Sequence, residues 1–152
     1  MAGTTIEGVD GKVTLGSNTV LGIGTWKYTP GGSAELDNTE FGDTTEQILL
    51  GMRKRGSISF NGLAKLGDTT GQEACKLAQI NATNITSLRF YCTASSYYTP
   101  NATTGYFSPS STTANATQSS YVNITAFDIG SDKNGLATIS FTGTVSGDMV
   151  LV

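Results

Sequence analysis

The sequence predicts a mainly β fold, an antiparallel β-sandwich or barrel with one short flanking α-helix. Apolar and polar residues alternate along several short segments, while only one segment has a helical pattern. The composition agrees, because the chain has 19 Gly, is rich in Ser, Thr and Asn, and has only 14% charged residues. Its 152 residues suit one adequate core, so we predict a single domain over 1–152.

Short strands follow one another from the start of the chain. Alternation predicts them at 4–9, 12–15 and 19–29, and further along at 46–50, 54–63, 87–93 and 148–152. Asp10-Gly11 and residues 16–18 punctuate the first three strands as turns. Trp26, the one tryptophan, lies in the longest of these, and its ring is predicted to anchor the core.

One helix is predicted, within residues 69–81. Thr70 and Glu73 have the spacing of a reciprocal capping box, and Asn81 or Asn84 is expected near the C-terminal end. The face toward the sheets is predicted to hold Ala74, Leu77 and Ala78, and the outer face Gln72, Lys76 and Gln79.

Residues 94–120 form a low-complexity segment of Ser, Thr, Asn and Tyr. Apart from Tyr97, Tyr98, Tyr106 and Phe107 it has little to bury, so we predict a long exposed excursion, with a weak hairpin around TGYF. The clearest predicted element comes next, a β-hairpin over 121–145 with its tight turn at Asn134-Gly135. Its second strand sets Ala137, Ile139, Phe141 and Val145 against the hydroxyls of Thr138, Ser140, Thr142 and Thr144.

Charge and motifs argue against an enzyme. The net charge of −3 disfavours non-specific nucleic-acid binding, and the absence of His excludes Ser-His-Asp and Cys-His sites within the chain. The fragment GIGTWK has Lys27 where a dinucleotide fingerprint needs its third glycine. A calcium-like pattern at 37–48 has Phe41 and Ile48 where oxygen ligands belong. We therefore predict no catalytic residue, no cofactor and no metal; a hydrolase using Asp and Glu pairs is a weak alternative.

Two further features bear on the cellular setting. Cys75 and Cys92 are predicted to be buried thiols, with one structural disulfide as the alternative. The N-terminus has no secretory signal pattern and no window approaches the roughly 18 apolar residues of a membrane span, so we expect a soluble product that is not exported.

Five Asn-x-Ser/Thr triplets occur, at Asn81, Asn84, Asn101, Asn115 and Asn123. A chain rich in Thr and Asn produces such triplets by chance, which is the interpretation that we favour. The alternative function is a secreted or surface β-sandwich that binds glycans, or an adhesin- or pilin-like subunit. Its exposed aromatics, Tyr97, Tyr98, Tyr106 and Phe107, would then stack on sugars.

Residues 35–47, ELDNTEFGDTTEQ, combine five carboxylates with one Phe and no basic residue. The carboxylates are Glu35, Asp37, Glu40, Asp43 and Glu46, and the basic residues that follow are Arg53, Lys54 and Arg55. Such a charge cluster is tolerated when it is solvated or covered by a complementary surface. We expect the acidic segment of one subunit to meet the basic patch of the next, head to tail, with Phe41 as the anchor. An ordinary acidic loop with Phe41 folded onto its own core is the alternative.

The same region resembles the major tail tube proteins of long-tailed, siphovirus-like bacteriophages. Those proteins have a Trp-containing strand, an acidic D-x-T-x-F-G-D loop, a G-S-x-S-x-x-G strand and a short helix. The matching residues here are Asp37, Thr39, Phe41, Gly42 and Asp43, followed by Gly56, Ser57, Ser59 and Gly62. The resemblance covers roughly residues 10 to 80, and the segment 94–120 departs from the pattern.

The resemblance implies a structural virion protein that forms hexameric rings stacked into a hollow tube for DNA ejection. Residues 30–45, Thr39 included, would reach an adjoining ring, and Ser57, Ser59, Thr138 and Ser140 are candidates to line the lumen. DNA would pass without specific binding, since Lys or Arg in the bore would hold its phosphates. Implied partners are other copies and the tape measure, tail terminator and distal tail proteins. Assembly is expected in the bacterial cytoplasm, without a membrane.

Overall fold

Two antiparallel sheets pack face to face in the structure, a computed structural model that describes residues 11–101 and 120–152. The strands in these residues are β1 (Val13–Leu15), β2 (Asn18–Thr19), β3 (Ile23–Thr29), β4 (Ser33–Asp37), β5 (Ile48–Arg53), β6 (Gly56–Leu63), β7 (Leu88–Tyr91), β8 (Tyr97–Pro100), β9 (Tyr121–Gly130), β10 (Thr138–Ser146) and β11 (Met149–Leu151). The helix α1 spans Gln72–Ile80. One sheet has the order β11-β8-β7-β1-β2, the other β3-β6-β10-β9, and β4 pairs with β5 in a two-stranded sheet.

The predicted strands are found with shifted boundaries, except 4–9, which lies outside the described residues. The segment 19–29 is divided, because its start belongs to β2 in the five-stranded sheet and its remainder to β3 in the four-stranded sheet. Gly22 has φ +77° between them, a conformation that glycine adopts without strain. This reversal lets the chain cross from one sheet to the other.

Aromatic side chains fill the space between the sheets. Phe60 stacks on Phe141 at 5.0 Å between ring centroids and contacts Phe90 at 5.9 Å. Trp26 is half-buried, stacks on Phe90 at 5.3 Å, and donates its Nε1–H to the Tyr91 carbonyl at 3.1 Å. Because Trp26 lies in β3 and Tyr91 in β7, this side chain ties the two sheets together.

The C-terminal hairpin is present, but its turn differs from the prediction. β9 and β10 pair from Thr138↔Gly130 to Ser146↔Tyr121, and residues 131–137 connect them. Asp132 shapes this longer loop, since its carbonyl accepts the Gly135 N–H at 3.0 Å. Asn134 and Gly135 therefore lie in a turn between the strands, as predicted, but within the longer connection 131–137 and not in a tight hairpin turn.

The start of the low-complexity segment also differs from the prediction. Residues 97–100 form β8, which pairs with β7 and β11 and is partly buried. Tyr97 and Tyr98 supply enough apolar surface to pack, so this part is no exposed excursion. Residues 102–119, including the hairpin expected around TGYF, lie outside the described residues.

The helix begins at Gln72 and is held by a residue that the sequence analysis overlooked. Thr70 makes no capping hydrogen bond; instead the buried Asp68 carboxylate accepts the N–H groups of Gln72 at 3.0 Å and Leu21 at 2.9 Å. The predicted faces of the helix are partly wrong as well. The helix buries Gln72, Cys75 and Ala78, while Leu77 is 54% exposed.

Both cysteines are buried and free, as predicted. Burial, together with the nearby Asp68 carboxylate, raises the pKa of the Cys75 thiol from its ordinary 9.0 to about 12. Burial also raises the pKa of Cys92. The proton on Cys75 therefore contributes stability that is complete below pH 9.0 and is lost as the pH rises toward 12.

We expect Cys75 to resist thiol reagents in the folded protein. Raising its pKa from 9.0 to about 12 lowers the thiolate fraction at pH 8 roughly a thousandfold, and burial blocks access further. The measurement is the labelling rate of a Cys92→Ala variant in buffer and in denaturant. Labelling of the folded variant at a rate close to that of the unfolded chain would contradict the buried placement.

The described segments contain no helix with the length and apolarity that a bilayer span requires.

Candidate assembly surfaces

Residues 33–53 form a hairpin, here called the acidic hairpin, that pairs with no other strand in the described part of the chain. β4 and β5 pair from Ser33↔Arg53 to Asp37↔Ile48, and residues 38–47 form its tip. β5 agrees with the strand predicted at 46–50, whereas β4 lies within residues 30–45, which were predicted to form a loop. A lone two-stranded hairpin is marginally stable in water. This one is consequently expected to gain stability from a covering surface.

Internal hydrogen bonds shape the tip. The Thr39 N–H donates to the Asp37 carboxylate at 2.9 Å, and the Glu40 N–H donates to the Asp43 carboxylate at 2.8 Å. Gln47 donates its N–H to the Thr39 hydroxyl at 2.9 Å and closes the tip. Hydrogen bonds from the Thr39 side chain and backbone lower the pKa of Asp37, so its carboxylate stays charged into acidic solution.

The tip presents charge and apolar surface together. Residues 35–48 are all exposed, and with them the five carboxylates Glu35, Asp37, Glu40, Asp43 and Glu46. Phe41 is fully exposed, and Leu36 and Ile48 are about half exposed, at 53% and 49%. The alternative in which Phe41 folds onto its own core is therefore wrong. An exposed aromatic ring flanked by aliphatic side chains is typical of an interface anchor.

The basic residues Arg53, Lys54 and Arg55 lie at the root of the acidic hairpin. The Lys54 N–H donates to the Gly32 carbonyl at 2.8 Å. A Cβ on Gly31 would lie 1.8 Å from the Lys54 carbonyl oxygen, so only glycine permits this close crossing. Lys54 and Arg55 are exposed, and the ion pair found among the described side chains is Lys76–Glu73, at 2.6 Å. The acidic tip is thus not neutralised by Lys54 or Arg55 of its own chain.

One face of the four-stranded sheet is polar, and all four residues predicted to line a lumen lie on it. Thr144 pairs with Ser57 and Thr142 with Ser59, so the hydroxyl side chains of Thr138 and Ser140 are followed by others along the same two strands. This polar face consists of Thr25, Lys27, Thr29, Ser57, Ser59, Asn61, Leu63, Asn123, Ala126, Asp128, Thr138, Ser140, Thr142 and Thr144. The residues that β3 contributes to this face were not predicted, although Thr25, Lys27 and Thr29 alternate visibly with Trp26 and Tyr28.

The end of this sheet that lies opposite the acidic hairpin exposes leucines. Three connections, 21–22, 64–71 and 131–137, meet there, because the Ala64 N–H donates to the Ala137 carbonyl and the Leu63 N–H to the Gly22 carbonyl. The exposed side chains are Leu21, Leu66 and Leu136, at 51%, 93% and 72%. Apolar residues within loops rich in Gly, Asp and Lys were the sequence signal for this surface.

An open groove of about 730 Å³ crosses the same end over all four strands. Glycines contribute to its lining, among them Gly22, Gly24 and Gly62. A Cβ on Gly62 would lie 2.0 Å from the Gly22 carbonyl oxygen, so the close approach of β6 and the Gly22 turn requires glycine. The leucines and this groove together offer a surface that can receive side chains of another molecule.

The aromatics proposed to stack on sugars pack within the protein instead. Tyr97 lies 5.0 Å from Tyr91 between ring centroids, with the Arg89 guanidinium 4.7 Å above its ring. Tyr98 faces Tyr28 at 6.2 Å. Tyr106 and Phe107 lie outside the described residues.

The Asn-x-Ser/Thr and calcium-like motifs also receive a structural context. Asn123 lies in β9 and donates its side-chain amide to the Thr83 carbonyl at 3.2 Å and to Asn84 Oδ1 at 2.8 Å. A glycan on that nitrogen would disrupt both bonds. Residues 11–101 and 120–152 contain no group of three or more His, Cys, Asp or Glu that could hold a metal ion.

No protein-family model matches the sequence, and no curated protein matches it either. Solved structures do match. The tail of an empty gene transfer agent particle, refined with C6 symmetry, matches with a TM-score of 0.66 at 16% identity, covering 96% of this chain and 98% of that chain. The SPP1 tail tube matches at 0.58 and 17% identity, covering 96% of this chain and 78% of that one. The sheath–tube complex of an extracellular contractile injection system, PVC, matches at 0.56 and 10%, covering 97% and 90%.

At these identities the likeness establishes the fold. The chain has the fold of tail-tube subunits, and the predicted antiparallel sandwich with one flanking helix is confirmed.

Proposed function

We propose that this chain is a structural virion protein that assembles into stacked hexameric rings, forming a tail tube through which DNA is ejected. The observation that carries the proposal is the acidic hairpin of a protein with a tail-tube fold. Its Phe41 is exposed, and among the described residues its two strands pair only with each other. The neighbour refined with C6 symmetry supports six copies per ring. The role is passive, so the protein needs no catalytic residue and no cofactor.

The polar face is proposed to line the lumen. Its inner strands carry the hydroxyls of Ser57, Ser59, Thr138 and Ser140 and no charged side chain. Basic residues release counterions from the phosphate backbone and so bind DNA. A bore of neutral hydroxyls avoids this attraction and lets DNA slide.

Rings are proposed to stack by inserting the acidic hairpin of one copy into the opposite end of a copy in the adjoining ring. The hairpin leaves the four-stranded sheet where Thr29 pairs with Ser57, whereas the exposed leucines lie beyond the Ile23↔Gly62 pair. The two surfaces therefore lie at opposite ends of one subunit, as a head-to-tail contact that repeats along an axis requires. Phe41 would pack among the exposed leucines, which would also cover Leu36 and Ile48.

In this arrangement the acidic tip does not meet the basic residues of another ring. Arg53, Lys54 and Arg55 lie at the same end as the hairpin that they support, so a contact between opposite ends does not join them to the acidic tip of another ring. We propose that these three basic residues contact the end surface of the adjoining ring instead.

The other implied partners are part of the same proposal. A tube of this kind is closed by different proteins, and the neighbours include the tube-terminating cap of the anti-feeding prophage, with a TM-score of 0.51. We propose a tail terminator at one end, a distal tail protein at the other and a tape measure protein inside. The subunit would assemble in the bacterial cytoplasm and reside in the tail of the virion.

The test is electron microscopy of the purified protein over a concentration series. We expect negatively stained rings or hollow rods whose proportion rises with protein concentration, because stacking is a mass-action process. Sedimentation of the same samples measures the assembled fraction. A monodisperse monomer at every concentration would contradict the proposal and favour the adhesin-like alternative.

A further inference from the structure

The edge strands of the four-stranded sheet are suited to joining copies side by side. β3 and β9 lie at the two edges, and neighbouring strands alternate in direction across the sheet. Because the strand number is even, β9 of one copy placed beside β3 of the next continues the antiparallel alternation. Such pairing also covers sheet edges that would otherwise be open to aggregation.

Only part of the β9 edge is open for this pairing. Val122, near its start, exchanges two backbone hydrogen bonds of 2.8 Å with Ile85, and Gln79 of the helix donates to the Thr125 carbonyl at 3.4 Å. Residues 126–130 beyond them are exposed apart from the half-buried Phe127. The open edge is therefore the stretch that carries Asp128.

Two opposite charges stand on the edge strands. Lys27 in β3 and Asp128 in β9 are both exposed, and both belong to the polar face. The other residues of that face, as defined above, are uncharged. The two charges cannot meet within one subunit, because β6 and β10 separate them and three strand spacings amount to about 14 Å.

The strand register brings these charges together across a seam between copies. Paired residues form rows that run across the four strands. The row that begins at Lys27 in β3 ends at Ala126 in β9, and Asp128 is the next residue of β9 on the same face. With the rows aligned, Asp128 of one copy is the diagonal neighbour of Lys27 in the next, about 7–8 Å apart at the backbone and within reach of a lysine. Closing a sheet requires a stagger, which must be even to keep the polar face on one side. A stagger of two residues in one direction places the pair directly opposite.

We propose that Lys27 of each copy forms an ion pair with Asp128 of the neighbouring copy across every seam of the ring. This inference rests on the proposed function, because it requires the ring. The pair sets the register of the seam, since sliding by two residues away from it separates the charges. It also neutralises the one basic residue of the polar face, so the bore does not hold DNA phosphates.

The decisive test is a charge swap. Lys27→Asp and Asp128→Lys should each raise the concentration needed for half-maximal ring formation about tenfold or more, because like charges then face each other. The double variant restores opposite charges and should assemble close to the wild-type concentration. Lys12→Asp is the matched control. Lys12 lies over the Tyr91 ring of the other sheet, so this variant should assemble normally. Circular dichroism checks that every variant is folded.

The outcomes separate the two proposals. If wild-type protein never forms rings, the proposed function fails. If wild-type rings form but the double variant assembles no better than the single variants, the ion pair is wrong while the tube remains.

A cross-linking experiment reads the register independently. The variant with Lys27→Cys and Ala126→Cys should form disulfides in rings when the rows are aligned. The variant with Lys27→Cys and Asp128→Cys should do so when the rows are staggered by two residues. The pair that matches the register should give a ladder reaching six subunits on non-reducing gels, whereas single variants give none. The native cysteines are buried and contribute little background. Assembled rings that cross-link through neither pair would overturn the seam.

Discussion

Reversing Asp37, Glu40 and Asp43 to lysine is expected to abolish rods while leaving the monomer folded. These carboxylates are exposed, and their described hydrogen bonds stay within the hairpin tip. Their loss therefore costs the sandwich core little, but it reverses the potential that an adjoining ring meets. The check is microscopy for rods and circular dichroism for the fold.

Phe41→Ser should have the same outcome for a different reason. Truncating an interface anchor of this type costs about 2 kcal/mol or more per contact, so six contacts lose roughly 12 kcal/mol at each boundary between rings. Because Phe41 contacts no core residue, the midpoint of monomer unfolding should stay unchanged.

The matched control neutralises the charge and keeps the shape. The double variant Asp37→Asn with Asp43→Asn retains side-chain oxygens that can accept the N–H groups of Thr39 and Glu40. It should therefore keep the tip and still polymerise, with less dependence on salt. Normal rods from both the lysine variant and Phe41→Ser would exclude the acidic hairpin as the contact between rings.

Gln72→Leu is expected to lower the free energy of unfolding by about 3–5 kcal/mol. Its side chain is 2% exposed and binds three backbone groups in two segments of the chain. The amide NH₂ donates to the carbonyls of Leu21 at 2.7 Å and Leu63 at 2.9 Å, and Oε1 accepts the Lys65 N–H at 2.9 Å. Leucine fills similar space but leaves three backbone groups unpaired, each costing about 1–3 kcal/mol when buried, with partial relief from water at this open end.

The control for this prediction lies on the same helix. Gln79→Leu removes one long hydrogen bond of 3.4 Å at a more exposed position, so it should change stability by less than about 0.5 kcal/mol. Urea unfolding should be followed at concentrations where gel filtration shows monomer, because assembly stabilises the folded state. A Gln72→Leu variant within about 1 kcal/mol of the wild type would refute the role assigned to this side chain.

Local patterns predicted the strands well where each strand has one buried face. β6 and β10 alternate between core residues such as Phe60 and Phe141 and the hydroxyls of the polar face, so period-two alternation located them. The helix was located by its capping spacing and helical pattern, but its capping residue and its faces were assigned incorrectly. Gln72 is polar and yet buried, because it makes three hydrogen bonds to residues outside the helix. The helical pattern of the sequence does not indicate such bonds.

β4 and β8 were not predicted, because the composition of each differs from that of a typical strand. The described side chains of β4, those of Glu35, Leu36 and Asp37, are all exposed, and the carboxylates resemble those of a loop. β8 is rich in Tyr and Thr within a low-complexity segment, and it becomes a strand by pairing with β7 and β11. In both strands, long-range pairing overrides the local composition.

The sequence by itself determined the class of fold, the absence of histidine chemistry, the acidic segment with its aromatic residue and the hydroxyl-rich strands, because these depend on residue type and short-range alternation. Only the tertiary structure decided that β3 crosses to the other sheet at Gly22, that Asp68 and Gln72 hold the helix, and that the acidic hairpin and the exposed leucines lie at opposite ends. It also placed Lys27 and Asp128 on opposite edges. Strand order and burial depend on how distant segments satisfy each other's hydrogen bonds and apolar surface, which local spacing does not encode.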